Sequence, residues 1–148
     1  IIDEHCSRRF DNALPAIPLD ASAGFDKWPE VVRSLEGQHR VVICANVCHI
    51  SPWQVTQGIV AGAARALSPG GLLLLYGPFK VDGMCTTESN ANFDRALRER
   101  DPSWGIRDVG DIRAEAERCG LSLSERRHMP ANNFLLRFDR RSGAAPHR

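Results

Sequence analysis

The sequence predicts an α/β fold built on an open, mostly parallel sheet that ends in an antiparallel hairpin. Two apolar runs, Arg40-Val-Val-Ile-Cys-Ala45 and Leu72-Leu-Leu-Leu-Tyr76, bracket one amphipathic segment from Pro52 to about Leu67. Continuous runs rich in Val, Ile and Leu suit strands buried on both faces, the mark of parallel pairing. Two such strands joined by one helix make a right-handed βαβ unit. Near the C-terminus, Leu121–Arg127 and Phe134–Phe138 alternate apolar and polar residues across the turn Met129-Pro-Ala-Asn-Asn133. So short a link forces those two strands to be antiparallel. Ligands of open sheets bind beyond the carboxyl ends of the strands. That rule points at two loops, Asn46–Ser51 and Tyr76–Lys80.

In chain order, Ile1–Phe10 resembles the tail of a helix. Ala13–Leu19 suits a short edge strand ending at Asp20, because Pro15 and Pro18 each remove a ladder donor. Pro29 opens a helix whose apolar stripe is Val31, Val32 and Leu35, and Gly37 ends it. In the central helix, Ser51 suits the N-cap and Pro52 the first turn. Val55, Ile59, Ala63 and Leu67 recur on one face, with Thr56, Gln57 and Arg65 away from it. Ser68-Pro-Gly-Gly71 stops this helix. A polar loop, Lys80–Glu88, leads to a helix over about Ser89 to Arg100 with Phe93 and Leu97 inward and an exposed Asp94–Arg98 pair. Asp101-Pro102 ends it. Asp108 caps the next helix, whose stripe is Val109, Ile112, Ala116 and Cys119, and Gly120 is its stop. Residues 1–140 form one domain, and the small, polar tail 141–148 is expected to be disordered.

At 148 residues the chain suffices for one sizeable core, and its net charge of +1 supplies no field for nucleic acid or an anionic membrane. No apolar run approaches the ~20 residues of a membrane helix. Five scattered cysteines fit a reducing, cytoplasmic compartment better than a disulfide framework. Cys44, Cys48 and His49 have no second ligand cluster, so no metal site is expected.

Four motifs occur in order: Asn46-Val-Cys-His-Ile-Ser-Pro-Trp53, Leu75-Tyr-Gly-Pro-Phe-Lys80, Asp101-Pro-Ser-Trp-Gly-Ile-Arg-Asp108 and Met129-Pro-Ala-Asn-Asn133. Together they resemble the methyltransferase-like protein 26 family, from about Leu14 to Phe138. The resemblance implies a Rossmann-like, class I methyltransferase fold and S-adenosylmethionine as cofactor. One departure stands out. The family opens with a strand, a Gly-rich loop and a second strand, and no GxGxG stands in this chain. The expectation is therefore a shortened chain, lacking the first two strands, with at least one βαβ unit (~30 residues or more) missing. Cofactor binding is expected to be impaired, and the bare edge beside Val41–Ala45 to invite self-association.

The candidate site follows from the resemblance together with the sheet-end rule. Asp20 takes the position that meets the adenine amino group, or is an ordinary turn cap. Ala21 beside it offers a backbone N–H to the ring. Asn46 ends the first apolar strand, where its amide serves cofactor or nucleophile, or merely turns the chain. His49 is either a general base or a loop brace. Tyr76, Lys80, Trp104, Arg107, Asn132 and Asn133 are candidates for substrate contact. Each has an alternative structural role: a packed strand end, an ion pair, or a turn residue. The acceptor is an unidentified small molecule or protein. A non-catalytic fragment or interaction module is the competing expectation.

Overall fold

A computed structural model describes residues 10–143. The helix tail expected at the N-terminus and residues 144–148 of the C-terminal tail lie outside that range. Strands are β1 (His39–Ala45), β2 (Leu67–Gly77), β3 (Phe79–Lys80), β4 (Arg107–Asp108), β5 (Leu121–Met129) and β6 (Asn133–Arg140). Helices are α1 (Glu30–Arg33), α2 (Trp53–Ala66), α3 (Glu88–Arg100) and α4 (Val109–Arg118). The main sheet has the order β1-β2-β6-β5, and β3 and β4 form a small sheet of their own. β1 and β2 are parallel, while β6 runs antiparallel to both β2 and β5. The predicted βαβ unit and terminal hairpin are both present.

Helix α2 packs on the sheet and against α4. Val60, Ala63, Leu67, Leu73, Leu75, Ile112, Ala116, Leu121, Leu136 and Phe138 share the core beneath them. The other face of β1 is uncovered, with Val41 46% and Ile43 68% exposed, and that of β2 is half-buried at Leu72, Leu74 and Tyr76. Among the described residues the Val-rich β1 thus fully covers only one face.

Several expectations need correction. Leu14–Leu19 forms no strand, and Leu14, Ile17 and Leu19 are exposed. Its two prolines each remove a ladder donor. The helix after Pro29 is a single turn, with Val31 and Leu35 exposed. The Ser68–Gly71 stop lies within β2 as a bulge, so Val41 pairs with Leu72 although His39 pairs with Leu67. Gly70, at φ 76°, makes that turn possible. Ser51 does not cap α2, because its hydroxyl donates to the Val47 carbonyl at 2.7 Å. Thr56 is fully buried rather than outward, since α2 is covered on more than its sheet side. On α3 Leu97 is buried as expected, but Phe93 is 42% exposed and Asp94 takes an inward position instead.

The small residues of α2 explain its second covered side. A Cβ at Gly58 would lie 2.0 Å from the Ala21 carbonyl oxygen, and one at Gly62 would lie 2.1 Å from the Trp28 indole. These glycines admit the two 3-10 turns, Ala21–Ala23 and Phe25–Lys27, directly against the helix. Arg65 then closes over the Phe25 ring at 4.5 Å and pairs with Asp26 and Glu36.

Candidate active site

Because β1 and β2 are parallel, their carboxyl ends open on the same edge. Asn46 leaves β1 with φ 58°, a left-handed conformation that asparagine tolerates better than most side chains. Its N–H still donates to the Tyr76 carbonyl at 2.9 Å, so the turn begins on the sheet. The chain then folds back. The Ile50 N–H donates to the Val47 carbonyl, and Cys48 and His49 become buried.

His49 is the group this loop delivers. Its side chain is only 6% exposed. The ring stands edge-on to Phe93, with centroids 5.7 Å apart. A Cβ at Gly77 would lie 3.5 Å from His49 Nδ1 and 3.7 Å from Asn46 Oδ1. Gly77 thus leaves a small cradle between the two polar side chains. Neither ring nitrogen of His49 makes a hydrogen bond among the described residues. Burial, and secondarily the nearby Arg107 charge, push the imidazole below the ordinary value of 6.5, so it is neutral at pH 7.

The antiparallel β6 brings the final turn to this edge. Phe134 pairs with Gly77, and Asn133 Nδ2 donates to the Tyr76 hydroxyl at 3.2 Å. Ala131 and Asn132, both at φ 59°, make the turn. Asn90 Nδ2 on α3 donates to the Asn132 carbonyl at 3.2 Å. Asn46, His49, Tyr76, Asn132 and Asn133 therefore assemble around one edge. Asn90, Phe93 and Gly77 join them, and the sequence alone did not single these out. The available signal was a polar residue, Asn90, one helical turn before the stripe residue Phe93.

The remaining candidates lie behind or beside this edge. Arg107 donates to three carbonyls, those of Cys48 (3.1 Å), Ser51 (2.7 Å) and Ser103 (2.7 Å). Its guanidinium binds the His49 loop to the 101–106 loop. Gly105, next to Trp104, donates its N–H to the His49 carbonyl at 3.0 Å. Lys80 Nζ bonds Asp94 at 2.9 Å. Asp94 also accepts from Arg98 and from the Ile106 N–H, so it is a buried hub and not one end of a surface pair. The opposing cations and the Ile106 N–H hold its carboxyl below the usual range despite the opposing effect of burial. Asp20 accepts from the N–H and hydroxyl of Ser22 and caps the first 3-10 turn. Ala21 packs against Gly58 and the core.

An open concavity of about 620 Å³ lies elsewhere, lined by Trp53, Lys80, Gly83, Arg98, Arg107 and Arg118 among others. It includes none of Asn46, His49 and Tyr76, and its cations are engaged by Asp94, Glu115 and backbone carbonyls. The chemistry gathers at the sheet edge instead. Among the described residues no cluster of three or more His, Cys, Asp or Glu could hold a metal ion. No helix described is long and apolar enough to cross a membrane.

Residues 3–140 match the family described as Protein of unknown function (DUF938). The chain belongs to that family. This DUF938 chain is similar in structure to an O-methyltransferase family protein from Burkholderia thailandensis, with a TM-score of 0.64 and 21% identity over 88% of this chain and 36% of that one. It is similar to LaPhzM at a TM-score of 0.67 and 12% identity, over 90% of this chain and 37% of that one. Human N-acetylserotonin methyltransferase, in complex with SAM, matches at a TM-score of 0.59 and 12% identity, over 70% of this chain and 30% of that one. These likenesses show the fold: DUF938 here has the Rossmann-like architecture of methyltransferases. The chain spans about a third of the length of the structures it matches.

Proposed function

We propose that this chain is the acceptor-side part of an S-adenosylmethionine-dependent methyltransferase, of the methyltransferase-like protein 26 kind. One observation supports this above the others: a buried histidine, its ring without a hydrogen bond among the described residues, stands beside a left-handed asparagine at the shared carboxyl edge of two parallel strands. The cradle left by Gly77 between His49 and Asn46 suits a ligand that reaches the strand ends. When bound, the cofactor supplies an electrophilic methyl group. His49 takes the proton from an acceptor hydroxyl or amine, which a neutral imidazole can do and an imidazolium cannot. Asn46 orients the donor end, and Asp20 with the Ala21 N–H faces the adenine side. Tyr76, Asn132 and Asn133 hold the polar parts of the acceptor. Arg107 and Trp104 serve by fixing the His49 loop, and Lys80 by fixing α3 through Asp94. Positioning and exclusion of water supply most of the acceleration.

The acceptor is a small molecule or a protein, since a net charge of +1 offers nucleic acid little. The reducing cytoplasm is the compartment we favour, on the strength of free thiols. Without a Gly-rich loop the cofactor is held weakly, at about 1 mM or above, or no more than about 4 kcal/mol. Amide NMR titration with S-adenosylhomocysteine tests this. Shifts should concentrate at Ala21, Asn46 and Gly77. Shifts elsewhere only, or none at those amides in either this chain or a longer version bearing a Gly-rich segment, would remove the proposal.

Among the described residues the outer edge of β1 has no partner strand, which favours a second role, as an interaction module. The strand exposes Val41 and Ile43, with Arg40 as its exposed charge. Sedimentation is expected to show concentration-dependent self-association that Ile43→Lys abolishes. A monomer at all concentrations would set this role aside.

A further inference from the structure

Phe93 lies on the inward stripe of α3, between Asn90 and Leu97, which are both buried, yet its own side chain is exposed. It is held there from two sides. One turn earlier, Asn90 donates its N–H to the Thr87 hydroxyl at 3.1 Å and grips the Asn132 carbonyl through Nδ2. The Phe93 ring itself meets the His49 ring at 61°. The two rings form a corner in which Phe93 is the open wall and the buried His49 the closed one. A flat molecule laid against Phe93 turns its rim towards the imidazole, and an aromatic one gains ring-to-ring attraction as well. Ile50, next in the chain to His49, is a second exposed apolar side chain of the same loop.

Charge selects further at this corner. After burial, the influence that keeps the His49 ring neutral is the positive charge of Arg107. Among the described residues no carboxylate is hydrogen-bonded to Asn46, His49, Tyr76, Asn132 or Asn133. Asp94, the residue after Phe93, is committed to Lys80, Arg98 and the Ile106 N–H. An ammonium or guanidinium brought here would lose water and meet no opposite charge. A hydroxyl that develops negative charge as it loses its proton meets the field of Arg107 instead. We propose that the acceptor is a neutral, flat aromatic molecule carrying a hydroxyl, seated on Phe93 with that hydroxyl at His49. This rests on the methyl-transfer reading above. In it the hydroxyl proton passes to a ring nitrogen of His49, the oxygen bonds the donated methyl carbon, and the bond from that carbon to sulfur breaks with its electron pair left on sulfur. Phe93 is then a specificity-determining residue, and the lysine and arginine side chains of proteins are excluded as acceptors.

NMR titration of the isotope-labelled chain with naphthol, cyclohexanol and benzylamine tests this. Naphthol should give saturable shifts of the His49 and Phe93 ring resonances. Cyclohexanol has the hydroxyl without the flat ring, and benzylamine the ring with a cation. Neither should shift those resonances at the concentration that saturates naphthol. Phe93→Leu should weaken naphthol by about 2- to 10-fold, the range of an aromatic pair, and Phe93→Tyr should retain it, with both variants keeping the folded spectrum. Naphthol shifts confined to the Val41 and Ile43 methyls would overturn the proposal. So would benzylamine binding as well as naphthol, or a Phe93→Leu variant that binds naphthol unchanged. S-adenosylhomocysteine, read at the Ala21, Asn46 and Gly77 amides, keeps the two readings apart. Its binding without a naphthol response would retain the methyl-transfer reading and overturn this one. A naphthol response without it would retain the aromatic site and remove methyl transfer from it.

Discussion

Arg107→Ala is expected to lower folding stability by about 3 kcal/mol, because a charge-assisted donor is lost from carbonyls left behind in a partly buried place. The side chain meets Cys48, Ser51 and Ser103 at once, and its ring-face contact with Trp53 is 5.9 Å from the centroid. The nearby cations Lys80 and Arg98 are themselves held by Asp94. For a domain of this size the loss should lower the melting temperature by about 10 °C. Arg107→Lys should recover only a part, since an ammonium cannot span three acceptors in one plane. Chemical denaturation of the three forms checks this. A change below about 1 kcal/mol for the alanine variant would mean that the two loops hold without the guanidinium.

His49→Gln should act in the opposite way: little on folding and much on chemistry. Glutamine fills a similar space and keeps a polar end against Gly77. Methyl transfer from radiolabelled S-adenosylmethionine to a responsive acceptor should fall by about 10²–10⁴-fold, the range a positioned base supplies. The pH behaviour follows from the direction of the shift. Burial keeps the folded-state value below 6.5, so the rate should rise with pH through a point below 6.5 and then level. Stability has the same sign. Between the folded and unfolded values the unfolded chain binds more protons, so the His49 contribution is complete above 6.5 and fades as pH falls towards the folded value. The glutamine variant should lose both dependences. An unchanged rate, or a ring that titrates above 6.5 by NMR, would exclude His49 as the base.

Periodicity alone revealed the βαβ unit, the α4 stripe and the terminal hairpin, because each buries one face against the same core. It misjudged α3. There Asp94 replaces an apolar residue at an inward position and is made tolerable by Lys80, Arg98 and the Ile106 N–H, partners distant in sequence. Leu14–Leu19 was misjudged for a related reason. Apolar content suggested a strand, but pairing depends on a neighbour with free donors, and no local pattern records one. At the candidate site, Asn46, His49, Tyr76 and Asn133 were legible because they lie at or just beyond strand ends on one edge of the sheet. Asn90 and Phe93 were not, since a helix crossing the sheet edge is a tertiary event. Arg107 was recognisable as important, but not as a brace, because three backbone carbonyls leave no trace in sequence.

The close seat of Trp28 on Gly62 gives the molecule an optical signal of its own. The indole is 8% exposed and its Nε1 has no hydrogen-bond acceptor among the described residues, so it sits in an apolar niche. Its emission should be blue-shifted relative to the two half-exposed indoles, Trp53 and Trp104. A side chain larger than hydrogen at position 62 would evict it into water, and the colour of the fluorescence would report whether the Asp20 turn remains docked on α2.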